Sequence, residues 1–513
     1  MNRMLLLIAG TLLISHVQGQ TEGNVVFGTD QILQVDVTFY DADFWSLLLA
    51  EYDGEQNDLP AAISITGVDG TAVFDSVGIR LKGNSSMNHP GNKKPFKVDF
   101  NQYISGQSYD LLKKLNFNNG FKDPTFVREK IFYDVCADAG ILAPRANFAE
   151  VTFNGTPWGF YTVVEQIDDQ FLDRSIGDDA GMLFKAGSNF EPGDSEASLE
   201  YLGPDTLLYQ DAYELKMNET GNWGLLVALI DFINNSSDDA FEAGLENWLD
   251  LPAYLRSAAL DNLFANLDSY LLSARNYYLY ANTTLDRWQW IKWDANEAFG
   301  SYAMGVPGNL TQLDLFFDGG NANRPLLERI MQSPSLRQAY EDELCALRAE
   351  WFNPDHLHPR LDALKSLIQE AVYSDQNKMY PNALFDSNFE FDQMGGGGGG
   401  GGGTLYGLKP FIEARAAYVD AQLACSNAVE PVGDANLPLV AHPNPATHEL
   451  HLLGPENSSS CDWYIYNGMG QLMWNSSAPT SSLTLDVSGW AAGTYVARFQ
   501  SNSQHAHLRF IVQ

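Results

Sequence analysis

Residues 268–280 read DSYLLSARNYYLY, and residues 287–294 read RWQWIKWD. The aromatic and branched side chains in both runs favour β-strands, and the short polar segment that separates them has turn chemistry. The two runs therefore predict a β-hairpin. Because a hairpin brings its two ends together, Asp268 before the first strand and Asp294 after the second are expected to lie close to one another.

Two carboxylates held close together suit a divalent cation. Mg²⁺ and Mn²⁺ take oxygen ligands, and Asn276 and Asn296 add amide oxygens beside Asp268 and Asp294. One carboxylate offers a second use, because a positioned carboxylate orients a hydroxyl nucleophile. The alternative is an aromatic hairpin in a protein core, with two solvated acids at its ends.

A second informative stretch is GIRLKGNSS at 78–86, followed by KKPFKVDF at 93–100. Each contains a predicted strand, and the loop between them is rich in small residues, including Ser85, that let backbone N–H groups approach an anion. Four lysines add positive charge in a chain whose net charge is −35: Lys82, Lys93, Lys94 and Lys97. The stretch favours a phosphate-binding loop, with a basic hairpin that balances nearby acids as the alternative.

Glu165 and Lys185 are further candidates for nucleotide binding. Glu165 follows two valines, and a buried acid needs a partner. A Lys–Glu pair beside ATP phosphates is how kinases hold their nucleotide, and a structural ion pair is the alternative. Lys94, Lys97 and Lys185 are alternative candidates for the lysine that contacts the nucleotide.

The order of the predicted elements indicates the α+β class, with a sheet-rich first half and a helix-rich second half. Strands are expected at 31–40, 62–66, 71–81, 96–100, 148–153, 159–165 and 182–186. Helices are expected at 41–52, 124–139, 223–234, 240–248, 252–272, 324–372 and 410–425. Two lobes around a cleft would have this order.

The composition is that of a large folded protein. Hydrophobic residues make up 45% of the 513 positions and aromatic residues 12%, which supports a sizeable core and excludes a disordered chain. The net charge of −35 argues against nucleic acid or an anionic membrane surface as a general partner.

Residues 1–19 combine Arg3, an apolar run and a small residue at Gly19, which predicts a secretory signal peptide. No later stretch reaches the roughly 20 apolar residues that a membrane-spanning helix needs. Export permits disulfides, and Cys345 and Cys425 lie on predicted helices of one region, so we expect these two to pair. The alternative is four buried thiols.

Three segments of distinct composition follow the predicted helices. Nine consecutive glycines at 395–403 predict a flexible surface loop. Residues 428–438 have the proline and glycine content of a linker. Short alternating strands at 449–453, 463–466, 471–474, 483–487 and 494–499 then predict a small β-sandwich at 439–513.

Many of these motifs, taken together and in one order, resemble the CotH kinase family. They run from about 31 to 423 and include GIRLKGNSS with KKPFK, DPTFVREK, AGILAP, WGFYTVVEQID, MLFKAG, NLDSY, RNYYLY and WDANEAFG. The family is similar to a divergent, atypical protein kinase that transfers phosphate from ATP to Ser or Thr of secreted proteins. The resemblance implies a two-lobed kinase-like domain at 31–427, ATP with Mg²⁺ or Mn²⁺ as cofactors, Asp268 as the catalytic aspartate and Asp294 as the metal-binding aspartate.

The chain also departs from the patterns that it resembles. Ordinary kinases carry a metal-binding Asn five residues after the catalytic Asp, where this chain has Ser273. Asn276 and Asn296 are therefore rival candidates for the further metal ligand. Family members often have Asp at the position of Asn296, and many have Arg at the position of Lys82.

Residues 439–513 resemble the type A sorting domain of the bacterial type IX secretion pathway, through the motifs PNPA, LHL, YNGMGQ and GTYVARF. The resemblance implies export across an outer membrane, then surface attachment or release, with the type IX secretion machinery as a partner. A carbohydrate-binding or adhesion sandwich is the alternative.

Three functions are compatible with these patterns. The first is a secreted or cell-surface kinase that phosphorylates Ser or Thr of extracellular proteins, and the pair Asp268 and Asp294 favours it. The second is a surface binding or structural protein that keeps the fold without turnover, for which Asn296 leaves room. The third is a polysaccharide-acting enzyme with paired carboxylates, and no glycosidase pattern supports it.

Overall fold

The computed structural model describes most of the chain in fourteen ranges: 21–187, 196–218, 221–303, 305–320, 322–394, 404–423, 425, 440–443, 446–454, 461–467, 472–476, 482–491, 493–501 and 505–512. The expected signal peptide at 1–19, the glycine loop at 395–403 and the linker at 428–438 lie outside these residues.

The sheet-rich first half is a closed barrel of seven strands in the order β1-β2-β3-β4-β5-β7-β6. Its strands are β1 Ile32–Phe39, β2 Leu59–Gly67, β3 Gly70–Leu81, β4 Phe96–Asp99, β5 Lys114–Asn118, β6 Ala146–Phe153 and β7 Thr156–Glu165. The pairing of β1 with β6 is parallel and closes the barrel, whereas the other neighbours pair antiparallel. Alternating apolar residues fill its interior.

A second sheet has the strand order β11-β10-β8-β9. Its strands are β8 Leu183–Ala186, β9 Tyr213–Met217, β10 Tyr277–Asn282 and β11 Arg287–Lys292. The aromatic hairpin predicted from the sequence is β10 and β11, which pair antiparallel over their whole length. Two further short strands, β12 Gln393–Met394 and β13 Thr404–Leu405, pair with each other.

Helices cover the rest of the core. Their bounds are α1 Asn24–Phe27, α2 Phe44–Asp53, α3 Arg128–Asp138, α4 Asp169–Ile176, α5 Trp223–Asn235, α6 Asp238–Trp248, α7 Leu251–Leu263, α8 Pro325–Gln332, α9 Pro334–Glu350, α10 Pro354–Ser374, α11 Asn382–Ser387 and α12 Leu408–Gln422. Short 3-10 helices lie at Ser85–Asn88, Thr206–Tyr209 and Leu310–Gln312. The helices share one hydrophobic core with the outer face of β6 and β7, through side chains such as Phe148 and Phe160.

A buried ion pair also joins the barrel to the helices. Lys93 Nζ lies 2.6 Å from Asp375 Oδ2, and the two side chains are 0% and 1% exposed. The same Asp375 oxygen accepts the backbone N–H of Phe160 on β7 (3.0 Å). One of the four lysines of the basic stretch therefore has a structural partner just after α10.

The C-terminal region is all β, as predicted. One sheet contains β14 Val440–His442, β15 Glu449–Leu453 and β18 Ser482–Asp486, and the other contains β16 Cys461–Asn467, β17 Leu472–Asn475, β19 Gly493–Ser501 and β20 His505–Val512. Side chains from both sheets, including the fully buried Trp463, form one hydrophobic core of their own. Two of these strands, β14 and β20, were not predicted.

The α+β class is confirmed, two predicted helix boundaries are corrected, and one barrel strand is added. The helix expected at 124–139 begins only at Arg128, because Phe126 has a φ of 60° and Asp123 binds the backbone N–H groups of Thr125 and Arg128. The helix expected at 252–272 ends at Leu263, so Asp268 lies in a loop. Strand β5, which completes one wall of the barrel, was not predicted.

The predicted disulfide is confirmed, since Cys345 on α9 is bonded to Cys425, just beyond the end of α12. Cys136 is a free, buried thiol. In the described part of the chain, none of the helices combines the length and the apolar character needed to span a bilayer.

Candidate active site

Asp268 and Asp294 meet at the open end of the β10–β11 hairpin. The backbone N–H of Trp293 donates to the carbonyl oxygen of Asn276 (3.2 Å), which extends the hairpin ladder. The side-chain amide of Asn276 donates in turn to the carbonyl oxygen of Asp268 (2.8 Å). The two carboxylates lie close enough that the charge of Asp268 adds to the effect of burial in raising the pKa of Asp294.

The backbone around this pair adopts conformations that side chains usually avoid. Ala274, Asn276 and Asp294 have φ values of 52°, 61° and 52°. Non-glycine residues in this left-handed region cost about 1 kcal/mol or more each, and they persist where the surroundings impose them. The buried Arg324 stabilises the loop that carries Asp268, because its guanidinium donates a hydrogen bond to the carbonyl oxygen of Leu272.

The Asp268 side chain has one buried oxygen without a hydrogen-bond donor among the described residues. Burial raises its pKa, while a hydrogen bond from Ser273 and the charge of Arg275 oppose the rise. Its Oδ1 is inaccessible to solvent and accepts no hydrogen bond from the described residues. A buried carboxylate oxygen without a donor is costly unless a ligand supplies one.

A chain of hydrogen bonds approaches Asp294 from the barrel. Lys82, which follows β3, donates from Nζ to Asn118 Oδ1 at the end of β5 (2.9 Å). Asn118 Nδ2 donates to Glu129 Oε2 in the first turn of α3 (2.8 Å), and Tyr133 OH donates to Glu129 Oε1 (3.2 Å). We call Lys82, Asn118, Glu129 and Asp294 the cleft group.

The charges of the cleft group are only partly neutralised. Burial lowers the pKa of Lys82 to about 8, although the charges of Asp294 and Glu129 favour its protonated form. Burial raises the pKa of Glu129 to about 7, and repulsion from Asp294 adds to the rise. Perturbed, mutually dependent charges in one cleft are typical of catalytic sites.

Gly83 fixes the position of the lysine that precedes it. It has a φ of 90°, and a Cβ atom there would lie 2.2 Å from Ser86 Oγ. Only glycine fits this position, so the chain turns sharply directly after Lys82.

Two more predicted lysines interact electrostatically with members of the cleft group. Lys185 on β8 has its pKa lowered by burial and by Lys216, while Asp294 is among the acids that oppose this effect. Lys97 on β4 has its pKa lowered to about 7, by burial first and then by neighbouring cations that include Lys82. Half-buried cations that repel one another favour an anionic ligand.

Lys94 and Ser85 are placed differently. Lys94 donates to the carbonyl oxygens of Met87 (2.7 Å) and His89 (2.6 Å), so its ammonium closes the basic loop on itself. Ser85 is exposed at the start of the 3-10 helix in that loop. From the sequence, three lysines were candidates for contact with the nucleotide. Lys97 and Lys185 interact with the cleft group, whereas Lys94 is bonded to its own loop.

The expected pairing of Glu165 with Lys185 is not formed. Arg145 Nη2 lies 2.6 Å from Glu165 Oε1, and Arg174 Nη2 lies 2.8 Å from Oε2. We use the name arginine pair for Glu165 together with its two arginine partners, Arg145 and Arg174. Its hydrogen bonds join the end of β7 to α4 and to the segment before β6, and its geometry is that of a structural ion pair.

Asn296 connects the segment after Asp294 to the connection between β5 and α3. Its side-chain amide donates to the carbonyl oxygen of Phe121 (3.2 Å). The next residue, Glu297, accepts a hydrogen bond from Lys122 Nζ (2.9 Å). The sequence did not point to Lys122 or Glu297, although Lys122 directly precedes the motif DPTFVREK and Glu297 lies in WDANEAFG.

The oxygen atoms around Asp294 fit a divalent cation bound together with a nucleotide. Within the ranges described, His, Cys, Asp and Glu side chains form no group of three that would cage a metal ion. Mg²⁺ usually binds through one or two carboxylates and takes its other ligands from water and substrate phosphates. Asp294 would supply such a carboxylate, and the hydrogen bonds of Asn276 and Asn296 use their N–H groups and leave each amide oxygen as a candidate ligand.

Comparison with known proteins gives two family matches. The model of the family described as CotH kinase protein matches residues 79–418, and that described as secretion system C-terminal sorting domain matches residues 440–513. The second match supports a secreted or surface location and a link to type IX secretion.

Individual relatives come from bacteria and fungi. Inner spore coat protein H of Bacillus subtilis is 26% identical over 296 residues, which cover 57% of this chain and 77% of that protein. Invasin CotH3 of Rhizopus delemar is 22% identical over 377 residues, which cover 68% of this chain and 61% of the invasin. A solved structure of PorZ, an essential surface component of the type-IX secretion system of Porphyromonas gingivalis, matches with 19% identity over 15% of this chain and 11% of that chain, at a TM-score of 0.14.

Proposed function

The chain belongs to the CotH kinase protein family, and we propose that it is a secreted or cell-surface protein kinase that transfers the γ-phosphoryl group of ATP to Ser or Thr of extracellular proteins. The observation that carries the proposal is the cleft group. A lysine linked to a glutamate on a helix, beside an aspartate that suits a metal ion, is the arrangement with which kinases hold ATP. The barrel and the helical region correspond to the two lobes in this proposal.

The nucleotide phosphates would lie among Lys82, Lys97 and Lys185. Phosphoryl transfer needs positioning and charge stabilisation more than covalent chemistry from the protein. Three cations that lack a full set of acidic partners supply both, because a polyphosphate replaces the repulsion between them with attraction. Glu129, reached through Asn118, limits the movement of Lys82.

Asp294 would hold Mg²⁺ or Mn²⁺, with Asn276 or Asn296 as a further ligand. When bound, such an ion would supply positive charge that neutralises the phosphates. Asp268 orients the acceptor hydroxyl and accepts its proton, which is the role that a buried carboxylate with an unoccupied oxygen suits. The loop around Asp268 supplies the rigidity that this role needs.

The route out of the cell is part of the same proposal. The signal peptide expected at 1–19 would direct the chain across the inner membrane, and the sorting domain would deliver it through the type IX secretion machinery. The disulfide between Cys345 and Cys425 fits an oxidising compartment.

A surface binding protein without turnover is the second candidate. It is favoured by Asn296, which stands where relatives often have Asp and whose amide is bonded to Phe121 (3.2 Å). A relative that is called an invasin fits a binding role as well. This candidate predicts ATP or partner binding with no phosphate transfer.

The proposal is tested by incubating the full purified chain with γ-labelled ATP, Mn²⁺ or Mg²⁺ and generic protein acceptors. The Asp294→Asn variant is expected to lose metal-dependent ATP binding, measured by calorimetry, together with label transfer. Its matched control is Asp178→Asn. Asp178 caps the turn at the other end of the hairpin, where it accepts from the backbone N–H groups of Thr283 (2.6 Å) and Thr284 (3.1 Å).

The Asp178 variant should lose stability and keep nucleotide affinity. Unchanged metal-dependent ATP affinity in Asp294→Asn would remove Asp294 from the site. Nucleotide binding without label transfer in the parent protein would instead favour the binding protein.

A further inference from the structure

Lys122 lies in the middle of the connection that builds the cleft group. This connection leaves β5 at Asn118 and reaches Glu129 in the first turn of α3. Gly120 and Lys122 have φ values of 71° and 62°, and a Cβ atom on Gly120 would lie 2.2 Å from the ring of Phe126. The turn therefore has a fixed shape, and that shape directs the Lys122 side chain.

The turn is bonded to the segment that follows Asp294. Phe121 accepts the amide of Asn296 through its carbonyl oxygen (3.2 Å), and Lys122 Nζ donates to Glu297 Oε1 (2.9 Å). These two contacts hold the Lys122 ammonium beside the segment that directly follows Asp294. Its positive charge acts on both aspartates of the site, because it opposes the pKa rise of Asp268 and of Asp294.

Lys122 has N–H donors to spare. An ammonium has three N–H donors. Among the described residues, the hydrogen bond to Glu297 is the one that Lys122 makes, and its side chain is 14% exposed. The unpaired buried oxygens nearby, Glu297 Oε2 and Asp268 Oδ1, are acceptors that a ligand with donor groups, such as an acceptor hydroxyl, would satisfy.

We propose that Lys122 is a further catalytic residue, which contacts the γ-phosphoryl group as this group moves from ATP to the acceptor hydroxyl. This inference rests on the proposed kinase function. In the step, the acceptor oxygen forms a bond to the γ-phosphorus while the bond from that phosphorus to the β–γ bridging oxygen breaks. ADP leaves with the electron pair of the broken bond, and the hydroxyl proton passes to Asp268.

The position of Lys122 separates its role from that of the nucleotide lysines. Lys82 follows β3 and Lys185 lies on β8, whereas Lys122 lies on the connection from β5 to α3 and is bonded to Glu297 (2.9 Å). Its charge also acts on Asp268, where the acceptor would arrive. A cation whose charge acts on both aspartates stabilises the charge of the group in transfer more than the charge of bound ATP. Its loss should therefore lower kcat and leave the affinity for ADP nearly unchanged.

The test uses the full chain and the Lys122→Met and Lys122→Arg variants. Label transfer gives kcat, and calorimetry gives the affinity for MgADP alone and for MgADP with aluminium fluoride, which mimics the phosphoryl group in transfer. Lys122→Met is expected to lower kcat by about 10²–10³, the range found for one stabilising donor. It should also lose most of the extra affinity that aluminium fluoride gives the parent protein, while Lys122→Arg keeps part of both because it keeps the charge.

Lys130→Met is the matched control. Lys130 is a lysine with a 6% exposed side chain, paired with Asp30 (3.2 Å) and Asp134 on the same helix as Glu129. Its variant should lose stability without losing the response to aluminium fluoride. A Lys122→Met protein that keeps this response and the parent kcat overturns the inference and leaves the kinase proposal intact. A parent protein with neither label transfer nor a preference for aluminium fluoride overturns both.

Discussion

Two buried glutamates of this protein sit among basic residues and have opposite surroundings. In the arginine pair, both oxygens of Glu165 are bonded to guanidinium groups, at 2.6 Å from Arg145 and 2.8 Å from Arg174. In the cleft group, Glu129 accepts from the neutral side chains of Asn118 and Tyr133, and Lys82 is one amide away. The first arrangement is complete without a ligand, and the second leaves its lysine charge for one. A buried carboxylate that is fully paired with cations stabilises the fold, whereas one that lacks direct contact with a cation is typical of a functional site.

The largest expected effect is at Asp268, on the cleft side of this comparison. Removing a general base usually lowers turnover by about 10²–10⁴. We expect Asp268→Ala to lower kcat by that range and to keep ATP affinity within a few-fold, because the phosphate contacts and Asp294 remain. Label transfer and calorimetry on the same preparation separate the two quantities. Autophosphorylation at the parent rate in a folded Asp268→Ala protein would remove the catalytic assignment.

Exchanging the two glutamates for glutamine tests the comparison directly. Glu165→Gln leaves two arginines without their acid, and breaking such a pair should lower the free energy of unfolding by about 2–4 kcal/mol, with the partial exposure of both arginines reducing the effect. Glu129→Gln should change stability by less than about 1 kcal/mol, because an amide can replace a carboxyl group that already bonds to neutral partners.

The nucleotide affinity should respond in the opposite order. Glu129→Gln is expected to weaken MgATP binding by about ten-fold, through the loss of a charge that steadies Lys82. Glu165→Gln should leave that affinity unchanged in the folded protein. Denaturant unfolding and calorimetry measure the two effects, and equal losses of nucleotide affinity in both variants would erase the distinction between the two regions.

A smaller effect concerns a fully paired acid outside both groups. Asp30 is bonded to Arg360 (2.9 Å) and lies 3.2 Å from Lys130, and the hydrogen bond from Arg360 is the main cause that lowers its pKa from 3.8 to about 2. Because the folded state lowers this pKa, the stabilisation is complete above pH 4 and is lost as the pH falls towards 2.

Since Asp30 is partly exposed, its contribution is about 1 kcal/mol. Asp30→Asn should therefore lower stability by about that amount at pH 7 and by less at pH 3. A difference between the variant and the parent that stays constant from pH 7 to pH 3 would contradict the assignment. The measurement is urea unfolding at both pH values.

The smallest expected effect follows deletion of residues 440–513. The described strands of this region form their own hydrophobic core around Trp463. The free energy of unfolding of the remaining chain should change by no more than about 0.5 kcal/mol, since separate cores contribute separately. Its kcat should change by no more than about two-fold. Surface delivery in the native host should be lost. Normal delivery of the truncated chain would refute the sorting role.

The sequence predicted the features that depend on local pattern. The aromatic runs around Asn276 and Trp293 specify a hairpin, and a hairpin forces its ends together, so the approach of Asp268 and Asp294 was accessible from the sequence. The pairing of Cys345 with Cys425 was accessible for a similar reason. Each depends on one motif or on two helices.

The partners of the buried charges were not accessible in this way. Arg145 and Arg174 are 20 and 9 positions away from Glu165, and no pattern in the sequence connects them. The link from Lys82 to Glu129 runs through Asn118 at the end of β5. Because β5 is short and polar, this strand was not predicted, and the role of Glu129 was missed with it. The helix of Glu129 was also expected to start earlier, which placed this residue in its second turn instead of its first. Lys94 and Lys97 were both candidates for the nucleotide lysine until the structure showed that Lys94 is bonded to carbonyl oxygens of its own loop, whereas Lys97 lies on β4.

The parallel pairing that closes the barrel has a consequence for the order of folding. Gln34 on β1 is in register with Glu150 on β6, 116 positions later, and among the described strands β6 is the neighbour of β1 on that side. Strands β1 to β5 can therefore assemble as the chain emerges, but the edge of β1 stays open until the β6–β7 hairpin is made. During that interval the half-built barrel presents a free strand edge to any other unfinished chain, which makes it the aggregation-prone stage of folding. A chain held unfolded until residues beyond Glu165 are available avoids that stage.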